Sequence, residues 1–263
     1  MSVTGAWSDL MPRVTTAVVI STVAFGALIF GGYIFAVLLF FAVAVMHWEL
    51  GGMLTPFSKQ SGYFSGSFAA FFFALALFSE SSIWSMVILT VGALTQLLFF
   101  HKRKKLGLVV SLAIFFGALN LFWLRDTSGF FILFWLVLVV IMTDVGGYFG
   151  GRILKGPKLI PTYSPQKTWS GVLVGWPFAI VATILTWNLF LPNLALHSAL
   201  LLTILLSVAS QGGDICESAL KRSCGVKDSS SLLPGHGGFM DRFDSLLGAS
   251  LTLGVVQPVL AGS

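Results

Sequence analysis

Long apolar stretches recur along the whole chain and constrain its fold more than any other feature. A helix that crosses the roughly 30 Å hydrocarbon core of a bilayer needs about 20 apolar residues. Nine stretches approach this length: Val14–Phe30, Ile34–Trp48, Phe64–Phe78, Ile83–Phe100, Leu106–Trp123, Phe130–Phe149, Val172–Leu191, Ala195–Gln211 and Leu246–Leu260. We therefore predict an all-α, polytopic membrane protein with about nine transmembrane helices, forming a single integral membrane domain over residues 1–263.

The composition excludes most other classes of protein. Hydrophobic residues make up 56% of the 263 residues and charged residues only 10%, whereas soluble domains carry about 25% charged residues. A soluble enzyme and a disordered chain are therefore excluded. The two cysteines are too few for a disulfide scaffold or for a four-cysteine zinc site.

The positive charges indicate the orientation of the chain in the membrane. When the spans are followed in order, fourteen of the fifteen Lys and Arg residues fall on one side, and only Arg125 falls on the other. Loops rich in Lys and Arg stay in the cytoplasm. We therefore expect a cytoplasmic N-terminus and cytoplasmic loops at 150–171 and 212–245. Topology also explains the net charge of +5, so we expect no nucleic-acid partner.

The polar residues are unevenly divided between the two halves of the chain. Residues 1–123 are mainly apolar spans, whereas residues 130–263 carry the polar clusters and form the predicted catalytic half. In the first half, Glu49 lies at a span end beside His47 and Trp48. We interpret it as an anchor at the membrane interface. Glu80 lies in a turn that we predict to be exposed.

The first two polar clusters surround the end of the sixth predicted span. Asp144 lies inside this span, and an ionisable side chain there is typical of a functional site. A helix-end Asp that reaches water is the alternative. A basic segment with Arg152, Lys158, Ser164 and Lys167 follows. Lys and Arg neutralise phosphate, and hydroxyls donate hydrogen bonds to it; a loop that only sets topology is the alternative.

The third cluster follows the eighth predicted span. Asp214, Glu217 and Lys221 occur at spacings i, i+3 and i+7, which places them on one face if the segment is helical. Two carboxylates on one face suit a hard cation such as Mg²⁺. A Glu217–Lys221 ion pair within the helix is the simpler alternative.

The fourth cluster is the densest. It contains Pro234-Gly-His-Gly-Gly238 followed by Asp241-Arg242-Phe-Asp244. Glycines let backbone N–H groups approach an anion closely. Asp241 and Asp244 open the last span, where a plain helix cap is the alternative. The clusters together predict a cytoplasm-facing site with carboxylates for a metal and basic groups for phosphates, as phosphoryl or nucleotidyl transfer to a lipid requires.

These clusters resemble the signature of the phosphatidate cytidylyltransferase family, also called CDP-diacylglycerol synthases. The downstream match consists of Ser218-Ala-Leu-Lys221-Arg222, Lys227-Asp228, Pro234-Gly-His-Gly-Gly238 and Asp241-Arg242-Phe-Asp244. The upstream match consists of Asp144, Tyr148, Gly151-Arg152, Lys158-Leu159, Ser164-Pro165, Lys167-Thr168 and Gly171. Three positions depart from the family pattern. Ser170 and Ser230 stand where Glu and Gly are usual, and Gln166 stands where Lys is common.

The resemblance implies a reaction of phospholipid biosynthesis, in which the cytidylyl group of CTP passes to phosphatidic acid. The products are CDP-diacylglycerol and pyrophosphate. It also implies Mg²⁺ as cofactor, with a second cation left open, and a homodimer. The implied metal ligands are Asp214, Asp241, Asp144 and Asp244, and the implied catalytic residues are Asp214, Asp241, Lys167 and Asp144. The implied substrate-binding residues are Arg152, Lys158, Ser164, Lys221, Arg222, Lys227, His236, Gly237, Gly238 and Arg242.

Two other functions are compatible with parts of this pattern. A CTP-dependent lipid kinase of the polyprenol or phytol type also pairs CTP with a membrane alcohol, and an anion transporter also carries basic loops. The Pro234–Asp244 block disfavours both. A transporter also needs access from both sides, whereas the polar residues here lie on one side. We expect a multi-pass protein of a bacterial inner membrane, since no large extension precedes the first span, with its active site facing the cytoplasm.

Overall fold

The structure is a computed structural model that describes residues 10–55 and 59–261. Over these residues the chain forms nine α-helices: α1 (Leu10–Phe30), α2 (Gly32–Leu54), α3 (Lys59–Leu77), α4 (Ser82–Gln96), α5 (Lys104–Thr127), α6 (Gly129–Leu154), α7 (Trp169–Phe190), α8 (Leu196–Ser223) and α9 (Met240–Ala261). Two short strands, β1 (Lys158–Ile160) and β2 (Ser164–Thr168), lie between α6 and α7. Each predicted span overlaps one of these helices almost completely, so the predicted all-α membrane fold is confirmed.

Six of the described helices are long and apolar enough to cross a bilayer. They are α1 from Arg13 onward, α2, α5, α6, α7 and α8. The other three helices, α3, α4 and α9, fall outside this group. A polytopic membrane protein is therefore supported, whereas the count of nine crossings stays a prediction.

The chain separates into two compact units. The first unit comprises the residues up to Phe115 together with Cys224–Phe243, and the second comprises Phe116–Ser223 together with the residues from Asp244 onward. Helices α5 and α9 each contribute to both units. We call Cys224–Phe239 the glycine-rich loop. It groups with the N-terminal helices, whereas we had expected it to belong with residues 130–263.

In the first unit, α2 packs against α3 and α3 packs against α4. Glycines allow the first of these contacts, since a Cβ at Gly66 would lie 2.7 Å from the carbonyl oxygen of Ala44. His47 is fully buried in this unit. Its Nδ1 atom lies 2.9 Å from the Val43 carbonyl oxygen and its Nε2 atom 2.7 Å from the Ser111 hydroxyl. His47 is therefore a satisfied core residue.

In the second unit, α6 and α7 pack together through glycines. A Cβ at Gly171 would lie 2.7 Å from the Gly147 carbonyl oxygen, and one at Gly175 would lie 2.7 Å from the Thr143 carbonyl oxygen. A Cβ at Gly146 would lie 2.8 Å from the Cβ of Phe178. Small residues are the usual means by which membrane helices approach each other closely. The glycines that follow Asp144 therefore set the spacing between these two helices.

The two predicted cytoplasmic loops are shorter than expected. Helix α8 continues to Ser223, and α9 already begins at Met240, so only the middle of the predicted loop 212–245 is non-helical. The segment 150–171 contains the end of α6, the antiparallel hairpin of β1 and β2, and the start of α7. Lys158 pairs with Thr168 in this hairpin, and Ile160 pairs with Ser164. The hairpin was missed because its strands have three and five residues, too few for a clear alternating pattern.

The glycine contact between α6 and α7 leads to a stability prediction. Gly175→Ala should lower the apparent melting temperature of the purified protein. The new Cβ would meet a backbone oxygen that cannot rotate away, and overpacking of this kind costs roughly 1–3 kcal/mol. Gly26→Ala is the matched control, because Gly26 lies within a helix and a Cβ added there would meet nothing within 4 Å. Equal melting temperatures for the two variants would contradict the prediction.

Candidate active site

The second unit contains a cavity of about 400 Å³ that is lined by both polar and apolar residues. Helices α6, α7 and α8 and the β1–β2 hairpin contribute its walls. Its charged and hydroxyl-bearing lining includes Asp144, Tyr148, Arg152, Lys167, Thr168 and Asp214. Asp144, Arg152, Lys167 and Asp214, which the sequence predicts to belong to one site, all line this cavity although they come from three different elements. A cavity with both carboxylates and cations is suited to an anionic ligand that carries a metal ion.

An ion pair crosses this cavity from β2 to α8. Lys167 Nζ lies 2.6 Å from Asp214 Oδ2, and the two side chains are 24% and 33% exposed. The pair is thus partly shielded yet accessible from the cavity. The Lys167 ammonium neutralises the charge of Asp214, and a lysine ammonium can in general also bind a phosphate oxygen.

Lys167 is followed directly by an ordered junction between β2 and α7. Thr168 is the N-cap of α7, and its hydroxyl accepts a hydrogen bond from the Gly171 backbone N–H at 3.1 Å. Ser170 Oγ accepts from the Gly156 N–H at 3.1 Å and lies 2.9 Å from Thr168 Oγ1. These contacts fasten the hairpin to the first turn of the helix.

Three carboxylates of the second unit influence one another: Asp144 on α6, Asp214 on α8 and Asp244 on α9. Helices α8 and α9 approach at backbone contact here, since a Cβ at Gly213 or at Gly248 would overlap the carbonyl oxygen of the opposite helix. Burial, and then the negative charge of Asp214, raises the pKa of the Asp244 carboxyl. A cation bound nearby would relieve this repulsion.

The predicted metal ligands do not form a closed cage of protein groups. Within residues 10–55 and 59–261, no three His, Cys, Asp or Glu side chains come together as a ligand set. Mg²⁺ usually takes only one or two carboxylates and completes its shell with water and substrate phosphates. Asp144 and Asp214, which both line the cavity, fit a site of that kind.

The remaining predicted residues of the second unit lie on α8 or on the hairpin and do not line the cavity. Lys221 pairs with Glu217 at 2.5 Å within α8, so the simpler alternative for this cluster is confirmed. Arg222 Nε donates to the Tyr163 carbonyl oxygen at 3.3 Å and thereby links the end of α8 to the hairpin turn. Lys158 is exposed on β1, and Ser164 is half-buried at the start of β2.

The glycine-rich loop of the first unit folds into a tight turn. The Leu233 N–H donates to the Gly237 carbonyl oxygen and the His236 N–H donates to the Leu233 carbonyl oxygen, both at 2.9 Å. Gly235 and Gly237 have φ values of 75° and 81°, which favour glycine strongly. A Cβ at Gly235 would also overlap the side chain of Arg13 on α1. Glycine is therefore required at positions 235 and 237 by the backbone conformation, and at position 235 also by the close approach of Arg13.

Asp241 and Arg242 are both engaged with the glycine-rich loop. Asp241 Oδ2 accepts from the Gly238 N–H at 2.7 Å and from the Ser229 N–H at 3.0 Å. Arg242 donates to the His236 carbonyl oxygen through Nη2 at 2.7 Å and Nε at 3.1 Å. Asp241 therefore ties the backbone of the loop to the start of α9. His236 Nδ1 is buried without a hydrogen-bond partner among the described residues, whereas Lys227 is exposed.

Glu49 is the residue that sequence reasoning missed. It is only 2% exposed, so its interpretation as an interfacial anchor is wrong. Its carboxylate accepts hydrogen bonds from Ser229, Ser230, Phe239 and Met240, all in or next to the glycine-rich loop. The sequence did contain a signal for Glu49. A carboxylate within an apolar helix is a functional candidate, by the same rule that we applied to Asp144.

Comparison with known proteins identifies the family of this chain. The sequence model of the Cytidylyltransferase family matches residues 11–257. The chain therefore belongs to the Cytidylyltransferase family, and the resemblance noted from its motifs is confirmed.

Three curated relatives carry the name phosphatidate cytidylyltransferase. The protein of Brucella suis is 43% identical over 148 residues, which are 56% of this chain and 54% of the relative. That of Staphylococcus saprophyticus is 42% identical over 131 residues, half of each chain. That of Helicobacter pylori is 39% identical over 139 residues, which are 52% of this chain and 51% of the relative. The chain spans about half the length of the curated relatives it matches.

Proposed function

We propose that this protein is an integral membrane nucleotidyltransferase that converts phosphatidic acid and CTP to CDP-diacylglycerol and pyrophosphate. The observation that carries the proposal is the cavity of the second unit, where Lys167 and Asp214 pair beside Asp144 and Arg152. The names of the curated relatives support the same substrates.

The proposed reaction is a displacement at the α-phosphorus of CTP. A phosphate oxygen of phosphatidic acid attacks this phosphorus and forms a new P–O–P linkage. The bond between the α-phosphorus and the bridging oxygen breaks, and its electron pair leaves with pyrophosphate. The substrates carry many negative charges, so the ammonium of Lys167 and the guanidinium of Arg152 lower the barrier by offsetting charge in a partly shielded cavity.

A divalent cation fits the acidic side of this cavity. The family generally needs divalent cations, and the oxygen donors of Asp144, Asp214 and Asp244 suit Mg²⁺ in particular. When bound, Mg²⁺ would supply charge neutralisation at the phosphates. Asp214 would hold it, with Asp144 and Asp244 next to it. Asp241, in the first unit, stays a predicted metal ligand from the family resemblance, and its carboxylate accepts hydrogen bonds from two backbone N–H groups.

We also propose a location and an assembly. The curated relatives are bacterial, which supports a bacterial inner membrane. The excess of Lys and Arg on one side supports an active site that faces the cytoplasm. A homodimer is proposed from the family resemblance alone.

The proposed orientation is testable with cysteine probes. Cys216 and Cys224 would first be replaced by Ser, and single cysteines introduced at Lys104, Lys158 or Ser81. In intact cells, a membrane-impermeant thiol reagent should label only the Ser81 position, and permeabilised cells should show labelling at all three. Labelling at Lys104 or Lys158 from outside would reverse the orientation.

The cation proposal is testable at Asp214. Asp214→Asn should lower turnover by about 100-fold or more, because it removes a charge that the transition state requires. It should also shift the Mg²⁺ titration to higher concentrations. Glu80→Gln, in the turn between α3 and α4, is the matched control and should be silent. An Asp214→Asn protein with an unchanged Mg²⁺ titration would exclude Asp214 as a ligand.

The reaction itself is testable by following which phosphorus enters the lipid. With α-³²P-CTP and phosphatidic acid, label should enter the lipid and pyrophosphate should be released. A lipid kinase would instead transfer γ-label to a polyprenol and release CDP. Incorporation of γ-label, or anion flux without lipid labelling, would overturn the proposed function.

A further inference from the structure

We propose that Glu49, on helix α2, is a positioning residue that fixes the glycine-rich loop in the shape that binds a substrate phosphate. This inference rests on the proposed function, since it assigns the loop a phosphate ligand. Glu49 itself touches no reacting atom. It acts through the backbone of the loop, and nothing in the motif pattern of residues 143–245 includes it.

One carboxylate joins the two ends of the loop. At the first end, Ser229 Oγ donates to Glu49 Oε2 at 3.2 Å and Ser230 Oγ donates to Oε1 at 2.6 Å. At the second end, the Phe239 N–H donates to Oε1 and the Met240 N–H donates to Oε2, both at 2.7 Å. The tight turn between Leu233 and Gly237 lies between these ends. Glu49 therefore closes the loop at its base.

Only a carboxylate matches this set of donors. Each oxygen of Glu49 receives one hydroxyl and one backbone N–H. A Gln side chain would replace one acceptor oxygen with an NH₂ group that faces two donors, which leaves buried donors unsatisfied. The Phe239 and Met240 N–H groups also belong to the start of α9, where the helix dipole favours a negative charge.

The glycine at position 238 is required by the same contact. A Cβ there would lie 2.5 Å from Glu49 Oε1 and would overlap Ser229 Oγ. The Gly238 N–H meanwhile donates to Asp241. Two carboxylates from different helices, α2 and α9, thus hold the backbone of the loop. A loop whose backbone is ordered before the substrate arrives saves the entropy of ordering it on binding.

The test compares Glu49→Gln with Glu80→Gln in the full-length protein, in lipid-containing micelles. Hydrogen–deuterium exchange without substrate should be faster at residues 229–240 in Glu49→Gln only. The ratio kcat/KM per folded molecule should fall about tenfold or more, the order expected when a positioning group is lost. The KM for the substrate whose phosphate the loop binds should rise. Glu49→Asp should recover part of the lost kcat/KM.

Two outcomes would overturn the inference. Unchanged exchange at 229–240 would mean that Glu49 does not order the loop. Faster exchange with kcat/KM within about twofold of the parent would make Glu49 a structural anchor only.

If Glu49→Gln does not fold, Ser230→Ala removes one of the four donors, and it should give a smaller change of the same kind. The exchange measurement uses no substrate, so its result is independent of whether the parent transfers cytidylyl groups.

Discussion

The free-energy cost of burying carboxylates in an apolar chain governs how the polar residues of each unit are arranged. A carboxylate away from water is destabilising unless charges or hydrogen bonds compensate it. The chain has only 10 Asp and Glu residues, and several of them lie within or at the ends of helices. Each of these positions requires a donor or a cation close by. Within each unit, the packing of the helices and loops brings such donors or cations to the carboxylates.

The two units compensate their carboxylates by different means. In the second unit, lysines do so for two carboxylates: Lys167 pairs with Asp214, and Lys221 pairs with Glu217. In the first unit, backbone N–H groups and serine hydroxyls do so, at Glu49 and Asp241. A lysine can release its partner when a phosphate and a metal ion arrive. A set of backbone hydrogen bonds instead holds one geometry, which suits a loop that must be ordered in advance.

The sequence predicted the positions of the helices well, and it named four residues that line the cavity. Hydropathy determines where a helix can lie, so the nine predicted spans overlap the nine described helices. The motif residues Asp144, Arg152, Lys167 and Asp214 line one cavity because their spacing belongs to a family pattern. The glycines after Asp144 were visible too, but their packing against Gly171 and Gly175 depends on a partner helix that local sequence does not specify.

The features that the sequence did not predict depend on contacts between distant residues. Glu49 and Met240 are 191 positions apart, so the spacing rules for one helix or one motif give no information about their contact. The extension of α8 to Ser223 was missed for a different reason, because hydropathy detects the apolar part of a helix and not its polar continuation. The Glu217–Lys221 pair at i, i+4 spacing indicated this continuation.

The departures from the family pattern show how local contacts accommodate substitutions. Ser170 stands where Glu is usual, yet its hydroxyl accepts from Gly156 and contacts Thr168, so it still ties the hairpin to α7. Ser230 stands where Gly is usual, and its hydroxyl supplies one of the four donors to Glu49 while accepting from the Leu232 N–H at 3.1 Å. Both serines join hydrogen-bond networks and leave the charged residues of the cavity in place. The substitutions therefore change local hydrogen bonds, whereas Lys167 and Asp214 keep the charges that the proposed chemistry requires.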